Sequence, residues 1–332
     1  MTTNSPTVSG HVTIVFTSDW GVSTGVGQAG RTHSTIERSG DDPVVRGTVI
    51  TGVLREQAML AAKALDGQED GKWTNFARWL FGQDPDSKPG SVPHPRHVLF
   101  SDATPTSKIP IHDTVSLSID PKTGTARDQF LRFTERAAAG VLTGTFTLIN
   151  EAGAEISDQE TLKAAHFLLG VAGLMVRGIG SGRSGGDGEC TVAVSDKDYV
   201  EIGRQDAKAT DALKRILANR DNDSPTYSSA DVEAVADQLR CRARKSLQKL
   251  QKVPDLPKDL PEDSPQDIAM PCLQQSESGS TTWYETTLDV VLDTPVVSYE
   301  VPFSNEVRSL DFLRGTVLVP WLHNLLRKKY QG

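Results

Sequence analysis

The chain has 332 residues, 37% of them apolar and 23% charged, with a net charge of −8 at pH 7. This is enough apolar material for two domains with ordinary cores, while the negative balance argues against a surface coated all over in nucleic acid. The start MTTNSPTVSG lacks the pattern of a secretory signal, and no uncharged run approaches membrane-spanning length, so a soluble, cytoplasmic protein with no membrane partner is expected.

In chain order, His11 to Thr17 (HVTIVFT) alternates as a first strand, and a long polar, glycine-bearing loop follows to about Asp42. PVVRGTVITGVLREQAMLAAKAL passes through Gly47 into an amphipathic helix from about Thr48 to Leu65, with Arg46 before its first turn, an arrangement suited to anions. WTNFARWLFG reads as a short helix ending at Gly82, and a Pro-rich connector leads to the strand HVLFSDA. A strand and turn around Asp120 to Gly124 reads as part of a protruding hairpin, before a strand from Gly144 to Ile149.

Residues 158–177 carry apolar side chains at helical spacing, and Cys190 to Val194 alternate as a strand. Between them, Gly180, Gly182 and Gly185 spell G-x-G-x-x-G. A dinucleotide fingerprint requires strand, glycines, then helix, so that the helix N-terminus meets the pyrophosphate. Here the order is reversed, which leaves a mobile cationic glycine loop bearing Arg177 and Arg183. Residues 205–253 are helical in pattern, 254–280 read as a linker, and WYETTLDVVLDTPVVSYEV returns to strand character. RCRARKSLQKLQK, residues 240–252, is basic without an acid and reads equally as a charged surface helix or an RNA-facing one. Arg46-Gly47-Thr48-Val49 recurs as Arg314-Gly315-Thr316-Val317 between strand-like and helix-like runs, which points to a duplicated fold start.

Other polar residues are read more plainly. Cys190, Cys241 and Cys272 form no C-x-x-C pair, so buried or inert thiols are expected rather than disulfides or a zinc ribbon. His94 and His97 are separated by Pro95, which opposes a shared helical metal face; no metal site is expected. His166 reads as packed within its helix, and Asp102 as ordering a loop rather than binding RNA hydroxyls.

PVVRGTVITGVLR, WLFG, VLFSDA, SIDPKTGTARDQFLRFTERAAAGVLTGTFTL and VRGIGSGRSGGDGEC, taken together and in this order, resemble the RAMP superfamily, and most of all the backbone subunits of type III CRISPR effector complexes. The resemblance implies an α+β protein with a ferredoxin-like (RRM-like) βαββαβ core, a thumb hairpin and a glycine-rich loop, joined by a helical insert and a partial second module of the same kind. Expected units are a RAMP-like RNA-binding domain at 8–200, a helical segment and linker at 201–280, and a partial second module at 281–332. The chain stops where the rest of that module would follow, which leaves either a degenerate module or a longer protein. The implied function is guide-RNA binding in a type III-like RNA-targeting complex, with guide RNA, complementary target RNA and other CRISPR effector subunits as partners, in antiviral defence. Arg46, Arg55, Arg177, Gly180, Gly182 and Arg183 would contact RNA, with Lys122 and Arg127 on the thumb. Family members that cut target RNA carry an aspartate five residues before a basic residue; here His33 precedes Arg38 at that spacing. A RAMP-type endoribonuclease using His33, or the nearby Asp41 and Asp42, is therefore the alternative, with Mg2+ as a cofactor only if cleavage occurs. An interaction module unrelated to RNA is the third reading.

Overall fold

The structure, a computed structural model, describes residues 8–25, 27, 32–67, 71–82, 95–120, 122–126, 131–150, 153–196, 207–219, 227–248 and 253–256. The expected second module at 281–332, including Arg314 to Val317, lies outside the described residues, as do His94, Arg127 and Cys272.

The first strand, β1 (Gly10–Phe16), is followed by the two-residue strands β2 (Arg38–Ser39) and β3 (Asp42–Pro43), then by α1 (Gly47–Leu65) and α2 (Lys72–Phe81). Next come β4 (Val98–Phe100), β5 (Thr104–Pro105), the hairpin strands β6 (Ile111–Ser116) and β7 (Arg132–Ala137), and β8 (Gly140–Leu148). The helix α3 (Gln159–Met175), β9 (Cys190–Ser195), α4 (Ala207–Ala218) and α5 (Ser229–Gln248) complete the described elements. The main sheet runs β4-β8-β1-β9, with every pair along that path antiparallel. With α1 between β1 and β4, and α3 between β8 and β9, this is a βαββαβ unit whose first strand lies between the third and fourth, which is the ferredoxin-like arrangement.

Successive side chains of a strand point to opposite faces, so β1 serves two cores. Val12, Ile14 and Phe16 join Leu142, Phe146 and Leu148 of β8 and Cys190, Val192 and Val194 of β9 beneath α1 and α3. Val15, Val141 and Ala193 face the other way and are covered by α4 and α5 through Ala212, Leu213, Ile216, Val232, Val235 and Leu239. The helical pattern over 205–253 thus resolves into two helices that close the second face of the sheet. On the first face, α1 turns Ile50, Leu54, Ala58, Ala61 and Ala62 inward. The α3 helix is capped by Asp158, whose carboxylate accepts the Thr161 amide at 2.8 Å and hydroxyl at 2.7 Å. Asp66 joins two helices: it ends α1, and its carboxylate accepts the amides of Gly71, Trp73 and Thr74 at the start of α2.

The structure corrects the extent of the hairpin. Its first arm is β6, ahead of Asp120, and its second arm ends at Ala137; the strand expected from Gly144 begins at Gly140 and belongs to the main sheet. Gly140 and Gly144 stand at core-facing positions where the pattern would have apolar side chains, so only the later part of β8 shows in the sequence pattern.

The α4–α5 pair is pinned by Asp231, which accepts from Nε and Nη2 of Arg215 and from the amide and hydroxyl of Ser228. The Arg215 hydrogen bond, then the Ser228 amide, hold its carboxyl at about 2 against the opposing effect of burial. A carboxyl lowered on folding contributes stability above its unfolded value of 3.8 and loses it as pH falls through about 2. Asp231→Asn should therefore flatten the decline of Tm between about pH 4 and pH 2. Thermal melts followed by circular dichroism at each pH provide the check, and equal acid slopes in both proteins would remove Asp231 from this role.

Candidate nucleic-acid interface

The strand register brings three connections to one end of the sheet. Phe16, the last residue of β1, lies opposite Gly140, the first of β8, and opposite Cys190, the first of β9. The segment leaving β1, the β6–β7 hairpin leading into β8, and the glycine segment leading into β9 meet there.

Trp20 is fully buried, stacks on Phe16 at 4.3 Å between ring centroids, and donates its indole N–H to the Ala138 carbonyl at 3.0 Å. Its backbone exchanges hydrogen bonds with Ala137, so the segment after β1 starts alongside β7. Further on, the His33 amide donates to the Phe133 carbonyl, and the Phe133 amide donates to His33 Nδ1 at 3.0 Å. Glu135, also on β7, is buried; its carboxylate accepts the Arg38 guanidinium at 3.0 Å and the Ile36 amide at 3.3 Å.

The glycine segment is a folded loop rather than the mobile one expected from its composition. Ile179 donates to the Gly188 carbonyl at 2.9 Å, Gly185 to Gly182 at 2.8 Å, and Asp187 to Gly182 at 3.3 Å, around a single 3-10 turn at Arg183–Gly185. It also interlocks with the segment after β1: Ser181 donates to the Gly21 carbonyl at 3.0 Å and Gly188 to the Asp19 carbonyl at 2.6 Å. Gly180 has φ of 102°, and a Cβ there would collide with the Gly21 carbonyl oxygen. Gly188, at φ 71°, faces the Ile179 carbonyl in the same way. The chain's own packing thus sets these glycine requirements.

An ion pair and a histidine–carboxylate hydrogen bond tie the hairpin to these loops. Arg136 Nε meets Asp187 at 2.9 Å, and His112 Nε2 meets Asp19 at 3.0 Å. The partners are 51 and 93 residues apart, so no spacing in the sequence could have revealed them. Beyond these ties the hairpin presents Val115, Leu117, Ile119 and Leu131, all between 47% and 59% exposed. Lys122 is exposed at its tip, where its amide donates to Asp120 Oδ1 at 2.8 Å.

The other expected residues are distributed as follows. Arg177 and Arg183 are exposed at the rim of the glycine loop, and neither guanidinium has an acidic partner among the described residues; Gly182 is exposed between them. Arg46 is engaged internally. Its Nε pairs with Glu37 at 3.1 Å, its Nη1 with Asp102 at 2.8 Å, and its Nη2 donates to the Arg38 carbonyl at 3.1 Å. The Asp102 hydrogen bond is the largest influence raising the pKa of that guanidinium. Asp102 also accepts the Gly47 amide at 2.8 Å, so a carboxylate of the chain already fills the anion site at the start of α1. Arg55 lies half-buried in the third turn of α1, away from its start. Asp41 and Asp42 are exposed at the β2–β3 turn. His33 is exposed, but Nδ1 accepts a backbone N–H, which selects the tautomer with its proton on Nε2. No group of three or more His, Cys, Asp or Glu among the described residues is placed to hold a metal ion. Nor is any described helix long and apolar enough to cross a membrane.

Residues 13–191 match the model of the RAMP superfamily. No curated protein matches the chain. Among solved structures, the chain is similar to a chain of the type III-B Cmr-beta bound to cognate target RNA, seen by cryo-EM, with 9% identity, 56% of this chain and 96% of that one covered, and a TM-score of 0.41. It is also similar to a chain of a type IV-B CRISPR complex, with 14% identity, 56% and 90% coverage, and a TM-score of 0.38.

Two outcomes are expected from this geometry. Gly180→Ala combines a positive φ with a backbone collision and should cost about 1–3 kcal/mol, read by urea unfolding; a loss below measurement error would mean the two loops are not interlocked. Burial pushes the Cys190 thiol up to about 12, whereas Cys241 is exposed. In the native protein a thiol reagent should therefore label Cys241 within minutes and reach Cys190 only on unfolding, with peptide mass spectrometry distinguishing the two sites.

Proposed function

The chain belongs to the RAMP superfamily, and we propose that it is a guide-RNA-binding subunit of a type III-like CRISPR effector complex, holding guide and complementary target RNA through backbone contacts. The observation that carries this reading is the pairing of two features at one end of the sheet. Arg177 and Arg183 offer guanidinium groups with no acidic partner among the described residues on the glycine-loop rim, and the adjoining hairpin bears exposed apolar side chains. Guanidinium groups neutralise phosphates without reading sequence. Apolar side chains such as Val115, Leu117 and Ile119 suit an entirely different part of the strand, the faces of unstacked bases. The ties from Arg136 to Asp187 and from His112 to Asp19 hold the apolar arm at a set distance from the cationic rim. Other effector subunits and the RNA are the partners, and the compartment is the cytoplasm.

In this reading His33 is a positioning residue that fastens the segment after β1 to β7, and phosphate binding by arginine needs no divalent ion. Arg46 and Asp102 shape the loops behind the interface.

The test uses the full chain and a fluorescent single-stranded RNA, titrated at several salt concentrations. Replacing Arg177 and Arg183 by Gln should weaken binding and reduce the slope of log Kd against log salt by about 1.4, at about 0.7 per phosphate contact on a single strand. Oligonucleotides of different sequence should bind alike. An unchanged slope, or no RNA binding by the folded wild type, would overturn the proposal.

A further inference from the structure

The second half of α5 carries Arg240, Arg242, Arg244 and Lys245, with no acid from Arg240 to the end of the helix. Arg244 and Lys245 are exposed and Arg242 is half-buried. At about 100° per residue, Arg244 and Lys245 point away from Val232, Val235, Ala236 and Leu239, the residues set into the core against the sheet, while Arg240 and Arg242 lie on the two flanks of that apolar stripe.

Helix stability does not account for this cluster. Cations favour a helix C-terminus, but the effect fades within the last turn, where Lys245 is the basic residue. The other three lie further in. Arg240 and Arg244 stand at i,i+4, and Arg242 and Lys245 at i,i+3, so the cluster opposes itself by about 0.2–0.5 kcal/mol per pair. Arg240 has counterparts: it meets Asp237 at 3.4 Å and donates from Nη2 to the Thr191 hydroxyl at 2.7 Å. Arg242, Arg244 and Lys245 have none among the described residues.

The bond to Thr191 also locates the cluster. Thr191 is the second residue of β9, immediately after the glycine loop. The helix then continues past α3, where Leu247 approaches Gly170. The cationic face thus begins beside the exit of the loop that carries Arg177 and Arg183, and leads away from it along the outside of the helix.

We propose that this face of α5 is a second phosphate-binding surface, continuing the RNA path beyond the glycine-loop rim. The partner is a single-stranded RNA backbone, recognised by charge. This rests on the RNA-binding reading above, and the two can fail separately. Arg240 serves as the junction, with its side chain fixed on Thr191, while Arg242, Arg244 and Lys245 make the contacts.

The test compares wild type, Arg242→Gln/Arg244→Gln/Lys245→Gln, and the Arg177→Gln/Arg183→Gln protein. Each is titrated with a fluorescent uridine 20-mer and with a uridine 8-mer across a salt series. Glutamine keeps helix propensity, and removing like-charge pairs should leave the Tm of the triple variant equal to or above that of wild type. The triple variant should lose about two units of salt slope on the 20-mer, from three phosphate contacts at about 0.7 each. If wild type binds the 20-mer, the loop variant weakens it and the triple variant does not, the α5 surface is overturned while the loop reading stands. A triple variant unchanged toward RNA but weakened toward poly-glutamate would assign the face to an acidic protein segment, and overturns it too. No binding of either RNA by wild type would sink both readings.

Discussion

Phe16 stands between Gly140 and Cys190 across two antiparallel ladders, and the architecture of the candidate interface depends on that register. A slip of one residue would exchange the two faces of β1, sending Val12, Ile14 and Phe16 out of the core beneath α1 and α3. It would also separate the three connections that converge at the end of the sheet. The stack of Trp20 on Phe16 and its bond to Ala138 extend the register outward, because they carry the strand order of the core into the path of the first loop.

Both faces of the sheet are committed to helices. An open ferredoxin-like sheet can offer aromatic side chains as a platform for bases, but here the second face is apolar and lies under α4 and α5. Under the proposed function, contact with RNA would therefore fall to loops, the hairpin and helix exteriors. This agrees with the distribution of charge in a chain of net −8, where cations matter by position. Those facing acids, such as Arg46, Arg38, Arg136 and Arg215, fix one segment to another; those without an acid among the described residues, such as Arg177 and Arg183, present their charge outward.

The same reasoning separates two uses of glycine that composition cannot distinguish. A loop rich in glycine suggests space left for a ligand, yet Gly180 and Gly188 are required by the nearness of Gly21 and Ile179 carbonyls. The loop is a hydrogen-bonded shelf that displays two arginines.

The sequence by itself determined the helices, the main-sheet strands and their order, though not every strand's bounds. HVTIVFT announced β1, the apolar spacing after Arg46 announced α1 to within a residue, and WLFG marked the end of α2 at Gly82, because periodicity, caps and turn residues act over a few positions. The five motifs in sequence also pointed to the superfamily and its sheet. Only the tertiary structure decided which charges are spent: Arg46 looked like an anion ligand until Glu37 and Asp102 were seen to occupy it, and His112, Arg136, Asp19 and Asp187 carried no local signal at all. The extent of the hairpin was hidden for a related reason, since glycines in β8 break the pattern while its partner β1 supplies the pairing. Hydrogen bonds and ion pairs between distant segments depend on the fold bringing them together, so their partners cannot be read along the chain.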